Sequence, residues 1–192
     1  PYLRFLRGVI DSEDLPLNIS REMLQNNPVV TKIRSSLVKR TISDLRKKLN
    51  SDKNDYINFW NNFGPVLKEG IYEDFERKES ILEIALFKQS ASSELITLNE
   101  YISNMQKKQK DIYFITGDNY ESVINNPSLE GYKSRNINVL ILDDPVDSFW
   151  TSSTPSYKEN NFKSVTQGID DLDKLGKKTE EDTNEKSVDS LL

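Results

Sequence analysis

In the stretch DLPLNISREMLQNNP, residues 14–28, Ser20 carries the side chain of an N-cap and Arg21 stands in the first turn of the short helix that would follow to about Asn26. The partial positive charge of a helix N-terminus disfavours a cation there by about 0.3–1 kcal/mol. The same end offers unpaired backbone N–H groups, so an arginine added to it suits an anion, phosphate above all, through its planar fork of donors. Gln25 follows four residues later. In a helix that spacing puts both side chains on one face, where a cation and a neutral amide could meet one phosphate together. On pattern alone a surface arginine tolerated beside Glu22, or paired with Asp14, is favoured over the anion site.

Three further groups could do chemistry. Asp143 and Asp144 end an apolar run, INVLILDD (137–144), the place where an open α/β sheet puts its functional groups. Magnesium there would need more carboxylates or a substrate phosphate, and only Asp147 is near in sequence. A strand-end turn before Pro145 accounts for the same residues, and no metal is expected. Phe149 and Trp150 follow, beside the polar TSSTPS; two such rings are usually a core anchor, the alternative being an exposed patch for apolar protein segments. Lys32, Arg34, Lys39, Arg40, Arg46, Lys47 and Lys48 stand against the single acid Asp44, a density that raises nucleic acid. These charges surround an apolar stripe on several sides with no aromatic interleaved for base stacking, so a solvated helix face is favoured and no nucleic-acid partner is expected.

Composition narrows the field. The 192 residues contain no Cys and no His, which removes disulfides, thiol nucleophiles, Ser-His-Asp catalysis and the usual zinc sites, and makes a reducing compartment the natural setting. The seven glycines, at 8, 64, 70, 117, 131, 168 and 176, are too scattered for a P-loop or a GxGxxG turn. With 30% charged residues, a mean hydropathy of -0.65 and no apolar run near the roughly 18 residues of a bilayer span, a soluble chain without a membrane partner is expected. Charge is divided: the first fifty residues hold 10 Lys and Arg against 5 Asp and Glu, the rest 16 against 26.

The elements that must carry these groups follow from periodicity. YLRFLRGVI (2–10) alternates as a half-buried strand whose sheet would lie upstream of Pro1, so the chain is expected to be a fragment of something longer. Asn27 caps and Pro28 opens a helix of about 20 residues with the stripe Val30, Ile33, Leu37, Val38, Ile42, Leu45 and Leu49. Tyr56, Phe59, Trp60, Phe63 and Leu67 make a second helix that Gly64-Pro65 should kink or divide, and Gly70 a left-handed C′ residue closing it with Ile71 on Val66. A third helix is expected over roughly Phe75–Lys88. Thr97 and Glu100 form a capping box. DIYFITG (111–117) and INVLILDD read as parallel strands joined by a helical, right-handed crossover. The fold class is therefore α/β (α+β overall): the terminal strand of an upstream α/β layer unit, a three-helix coil, then a small α/β/α unit with parallel strands. From Lys163 the chain thins into a charged linker or truncated helix.

RGVIDSEDLPLNISREMLQ (7–25), FWNNFGPVLKEGIYED (59–74), DIYFITGDN (111–119) and VLILDDPVDSFW (139–150) together resemble, in order, the heat shock protein 90 chaperone family in its bacterial HtpG form. The resemblance runs from Tyr2 to about Val165 and covers the later part of the middle domain. It implies four stretches: 1–22, the last strand and catalytic loop of the large middle-domain α/β unit; 23–95, a helical coil section; 96–165, the small α/β/α unit; and 166–192, an acidic linker or the start of the C-terminal dimerisation domain.

The family's loop reaches across to ATP held with Mg by an N-terminal domain absent here, so this fragment holds no cofactor itself. Arg21 falls on the arginine that meets the γ-phosphate, Gln25 on a supporting polar contact, and Asn18 within the same catalytic loop. Arginine fingers of this kind are worth about 10³–10⁵ in rate in other phosphoryl-transfer enzymes. The water-activating glutamate belongs to the absent domain, so the fragment alone is not expected to hydrolyse ATP. Phe149 falls at the family's aromatic position after DPxD, on a surface resembling the client-holding one, with Trp150 adjacent as reinforcement; in the usual bacterial pattern a tryptophan holds Phe149's place. The resemblance thus implies a cytoplasmic, ATP-dependent chaperone that binds unfolded or partly folded clients, contacts its own N-terminal ATPase domain and dimerises through an absent C-terminal domain, the fragment itself being monomeric. The alternative is a non-catalytic scaffold for clients or co-chaperones.

Overall fold

Asn27 and Pro28 start a helix as their side chains dictate. The computed structural model, which describes residues 2–11, 13 and 27–166, shows Asn27 extended with its side-chain oxygen accepting the Val29 N–H at 2.8 Å and Pro28 in the first turn of α1 (Pro28–Ser51). Asp52 both ends this helix and starts the next. Its N–H donates to Lys48 O at 2.8 Å, and its carboxylate accepts from Asp55 N at 3.0 Å to open α2 (Lys53–Lys68). Cα packing separates two units, Pro1–Ala85 and Leu86–Leu192.

In the first unit α2 runs unbroken through Gly64-Pro65, against the division expected there. Its buried residues Tyr56, Trp60, Gly64 and Leu67 lie on one stripe spanning the proline, so packing on both sides outweighs the single backbone bond that Pro65 cannot donate. Gly70 also differs from expectation. Glu69 ends α2 in right-handed dihedrals and Gly70 opens α3 (Gly70–Glu73) without a left-handed turn. The glycine is there for space: a Cβ would stand 2.6 Å from Tyr2 Cδ2 and 2.7 Å from Ile81 Cδ1. The expected Phe75–Lys88 helix is only α4 (Lys78–Ile84), because Ala85 turns extended and the next residues join a sheet.

Residues 2–10 form no strand; 2–5 make a turn closed by Leu6 N on Leu3 O at 3.0 Å, and the rest is irregular, with Val9 98% exposed. Alternation supplies a face, but a ladder needs a neighbour, and none is present among the described residues. The turn is nonetheless firmly held. Tyr2 is buried and its hydroxyl donates to Asp74 at 2.7 Å, Asp74 pairs with Arg77 at 3.1 Å, and Arg77 reaches Ser35 of α1 at 2.6 Å. Burial first, then Asp74, pushes the Tyr2 hydroxyl pKa up, so it stays a donor. Arg4 grips Glu69 with two nitrogens and holds that carboxyl below its usual range, while Phe5 packs on Phe63 and Phe59 at ring separations of 4.9 and 5.5 Å.

Four of the seven cations named on α1 meet acids. Arg40 and Lys47 meet Asp44 at 2.7 and 3.6 Å, Arg46 meets Glu83 at 2.5 Å, and Lys48 meets Asp55. Exposed pairs of this kind add little stability, but they offset part of the positive charge of the C-terminal half of the helix.

The second unit is a sheet in the order β2-β1-β4-β3-β6-β5, formed by β1 (Leu86–Gln89), β2 (Ile96–Thr97), β3 (Ile112–Thr116), β4 (Leu140–Leu142), β5 (Ser156–Tyr157) and β6 (Asn160–Ser164). Strands β3 and β4 are parallel, Ile115 opposite Ile141, as the crossover pattern requires. Strand β6 adds in parallel beside β3, while β1 pairs antiparallel with β4 and β2, and β5 antiparallel with β6. The capping box is present: Thr97 Oγ1 accepts from Glu100 N at 3.1 Å and Glu100 Oε2 from Thr97 N at 2.8 Å, opening α5 (Leu98–Ser103). Between β3 and β4 lie α6 (Tyr120–Ile124), a 3₁₀ turn (Pro127–Leu129) and α7 (Glu130–Lys133). They cover one sheet face, where Tyr113, Ile115 and Ile141 pack with Val123, Leu129 and Tyr132. The second unit begins at Leu86, so β1 and β2 belong to it along with the rest of this sheet.

Two polar hubs tie its loops. Tyr101 Oη donates to Asn138 O at 2.7 Å and accepts from Tyr113 N and Gln109 Nε2 at 3.0 and 3.1 Å. The Asn138 side chain donates to Gln89 at 2.6 Å and accepts from Ala91 N at 3.2 Å, fixing the β1–β2 connection. Among the described residues no helix is long and apolar enough to cross a membrane.

This packing makes two positions sensitive to small substitutions. Gly70→Ala should cost about 1–3 kcal/mol by overpacking Tyr2 and Ile81, read as a lower urea midpoint; an unchanged midpoint would refute the close approach. Tyr101→Phe should cost about 1–3 kcal/mol by leaving the buried Tyr113 N–H without its acceptor, with faster amide exchange at Tyr113 as the site-specific check.

Candidate functional site

Strand β4 is followed by Asp143-Asp144-Pro145-Val146, which turns the chain into α8 (Asp147–Ser153). Asp143 is taken by Lys88, whose Nζ donates to it at 2.6 Å across the β1–β4 pair, as a strand-end turn would use it. Asp144 and Asp147 bond reciprocally: Asp147 N donates to Asp144 O at 2.9 Å and Asp144 N to Asp147 Oδ2 at 3.1 Å. Asp147 is 1% exposed, and its other oxygen accepts the Trp150 indole N–H at 2.7 Å.

The two adjacent aromatics part company. Trp150 is 0% exposed, its ring 5.9 Å from Phe87 of β1 and 5.3 Å, edge to face, from Phe162 of β6. Phe149 is 64% exposed. The expectation of both rings on a client surface is therefore corrected for Trp150. Its indole is a core anchor, buried because its N–H finds a carboxylate and its ring finds two phenyl groups. Around Phe149 the helix is polar. Ser148, Thr151 and Ser152 donate to Pro145 O, Asp147 O and Ser148 O at 3.1, 2.7 and 2.7 Å, so their hydroxyls are engaged by backbone and do not bridge to the sheet. The result is one large apolar ring within a polar collar, able to take up an apolar side chain. Sequence reasoning missed Asp147 as the partner of Trp150, although an Asp three residues before a Trp at a helix start is the spacing that lets the two meet.

Arg21, Gln25 and Asn18 lie outside the described residues. Among the described residues, Tyr2, Arg4 and Phe5 are anchored on the preceding side, with exposed residues 6–11 after them, and the Asn27 cap is anchored on the following side.

An α/β unit of this topology, together with a separate helical unit carrying a buried aromatic stripe, defines a class that comparison makes specific. The profile of the family described as Hsp90 protein matches residues 1–192, and the chain belongs to that family. It is similar to the chaperone protein HtpG of Paramagnetospirillum magneticum, 50% identical over 189 residues, covering 98% of this chain and 30% of that protein. Against the HtpG of Wolbachia sp. subsp. Brugia malayi it is 48% identical over 200 residues, covering 100% and 31%. The chain thus spans about 30% of the length of the curated relatives it matches. Its fold is similar to the middle domain of a Plasmodium falciparum putative heat shock protein, with a TM-score of 0.68 at 32% identity over 74% of this chain and 61% of that one.

The separation of the two rings is measurable. Phe149→Ala should shift stability by no more than about 0.5 kcal/mol, whereas Trp150→Ala should cost about 3–5 kcal/mol. Equal costs in denaturant unfolding would contradict the burial difference.

Proposed function

We propose that this chain is the part of an ATP-dependent, HtpG-type chaperone that holds unfolded or partly folded proteins at Phe149 and supplies Arg21 to ATP bound with Mg on another domain. The observation that carries the holding role is the exposed Phe149 ring beside a fully buried Trp150. A large aromatic left outside a well-packed helix is the kind of anchor that protein contacts use. Support for the arginine comes from family membership and from the residue's position in LNISREMLQ. The charge of an arginine at that place is explained by a phosphate brought to it from elsewhere. On this reading Gln25 is the supporting polar contact and Asn18 belongs to the same catalytic loop. Cytoplasmic placement, a role in stress, dimerisation through a C-terminal domain of the parent and contact with its N-terminal ATPase domain belong to the same reading.

The test places this segment in a full-length HtpG-type protein. Arg21→Ala should retain nucleotide binding and lower ATP turnover, by up to about 10³-fold if it acts as arginine fingers do elsewhere. Phe149→Ala should leave turnover in place and weaken capture of an unfolded protein. Undiminished turnover in the arginine variant would reduce the segment to a scaffold.

A further inference from the structure

We infer that Asp147 is a positioning residue for the Phe149 surface: its carboxylate holds α8 in the rotation that buries Trp150 and turns Phe149 outward. The inference rests on the reading of Phe149 proposed above. Successive side chains on a helix are about 100° apart, so the rotation that points Trp150 into the sheet points Phe149 aside from it. The start of α8 lacks a side-chain cap; Val146 occupies the cap position with φ -69° and ψ -21°. Its rotation is set from inside the first turn instead. Asp147 Oδ2 accepts from Asp144 N at 3.1 Å while Asp147 N donates to Asp144 O at 2.9 Å, closing the strand-to-helix turn from both sides. Asp147 Oδ1 accepts the Trp150 N–H at 2.7 Å, three residues on. One side chain therefore joins the turn after β4, the start of α8 and the ring between Phe87 and Phe162.

The chemistry requires a carboxylate. Both contacts are made by N–H donors, and a carboxylate presents an acceptor on each oxygen, whereas an amide would turn an N–H toward one of the two. The hydroxyls of Ser148, Thr151 and Ser152 bond to nearby carbonyls of the same segment and set no rotation. A buried carboxylate is costly unless its bonds are made, so the helix cannot turn away from this arrangement without exposing or stranding Asp147.

The experiment compares the 192-residue chain, Phe149→Ala, Asp147→Asn and the double variant, at a temperature where circular dichroism shows every protein folded. The probe is reduced, carboxymethylated α-lactalbumin, a permanently unfolded polypeptide, with affinity read by fluorescence anisotropy. Each single substitution should weaken binding by about tenfold, and the double variant should bind no more weakly than Phe149→Ala, because Asp147 acts only through that ring. An effect of Asp147→Asn that adds to that of Phe149→Ala overturns the inference, since a general structural role would not disappear when the ring is removed. Parent-like affinity in Asp147→Asn beside weakened binding in Phe149→Ala also overturns it and leaves the Phe149 surface standing. Parent-like affinity in Phe149→Ala removes the surface reading and this one with it. If Asp147→Asn does not fold, Trp150→Phe decides, since it keeps a packed ring and removes the indole N–H. A loss of about threefold or more supports the inference, and unchanged affinity overturns it.

Discussion

A large aromatic ring can be buried only if its polar atom is paired, and in this chain that requirement joins elements distant in sequence. Tyr2 reaches Asp74, Tyr56 reaches Ile84 O, Tyr101 reaches Asn138 O, Tyr157 reaches Asn99 and Trp150 reaches Asp147. Each contact crosses from one element to another, except the last, which locks a helix to its own first turn. Without these partners the rings would each leave an unmet donor in the interior, at about 1–3 kcal/mol apiece. With them, the apolar area that drives folding also specifies which loop lies where.

The consequence differs between the two units. In the first, Tyr2 and Arg4 fasten a segment that has no ladder of its own, and Gly70 exists to let Tyr2 approach. In the second, Tyr101 and Asn138 hold the connections around a short-stranded sheet, where strands of two to five residues supply few backbone bonds. Burial pushes the hydroxyl pKa of Tyr56 and Tyr101 well up, so both remain protonated donors throughout the physiological range.

Where local chemistry decides, the sequence was a good guide. The Asn27-Pro28 start, the Thr97/Glu100 capping box and the parallel pairing of β3 with β4 each depend on residues within a few positions or on a strongly apolar run. Where a distant partner decides, it was not. Leu86–Gln89 continues a helical pattern and becomes strand because β4 and β2 flank it. The β5–β6 hairpin turns at Lys158, in left-handed dihedrals at φ 52°, with none of the Asn-Gly or Asp-Gly chemistry that announces a hairpin. Of the candidate site, the aromatic pair was legible from composition. Which ring faces out was not, because that depends on Phe87 and Phe162, brought in by two strands from elsewhere in the chain.

The exposure of Phe149 is best understood as a result of what its neighbour demands. If α8 turned to bury Phe149 and expose Trp150, the sheet would lose the larger ring, a difference of roughly 1 kcal/mol at about 25 cal/mol per Å². The same rotation would also draw Asp147 away from the Asp144 N–H that it accepts at 3.1 Å, and a hydrogen bond to a carboxylate is worth about 1.5–3 kcal/mol. The carboxylate weighs more than the ring: Asp147 is 1% exposed, and removing one of its donors leaves a buried acceptor unmatched. Packing alone would choose this rotation weakly; the carboxylate makes it decisive. Phe149 therefore carries little of the fold's stability, and the side chain at that position can be altered without disturbing the core beneath it.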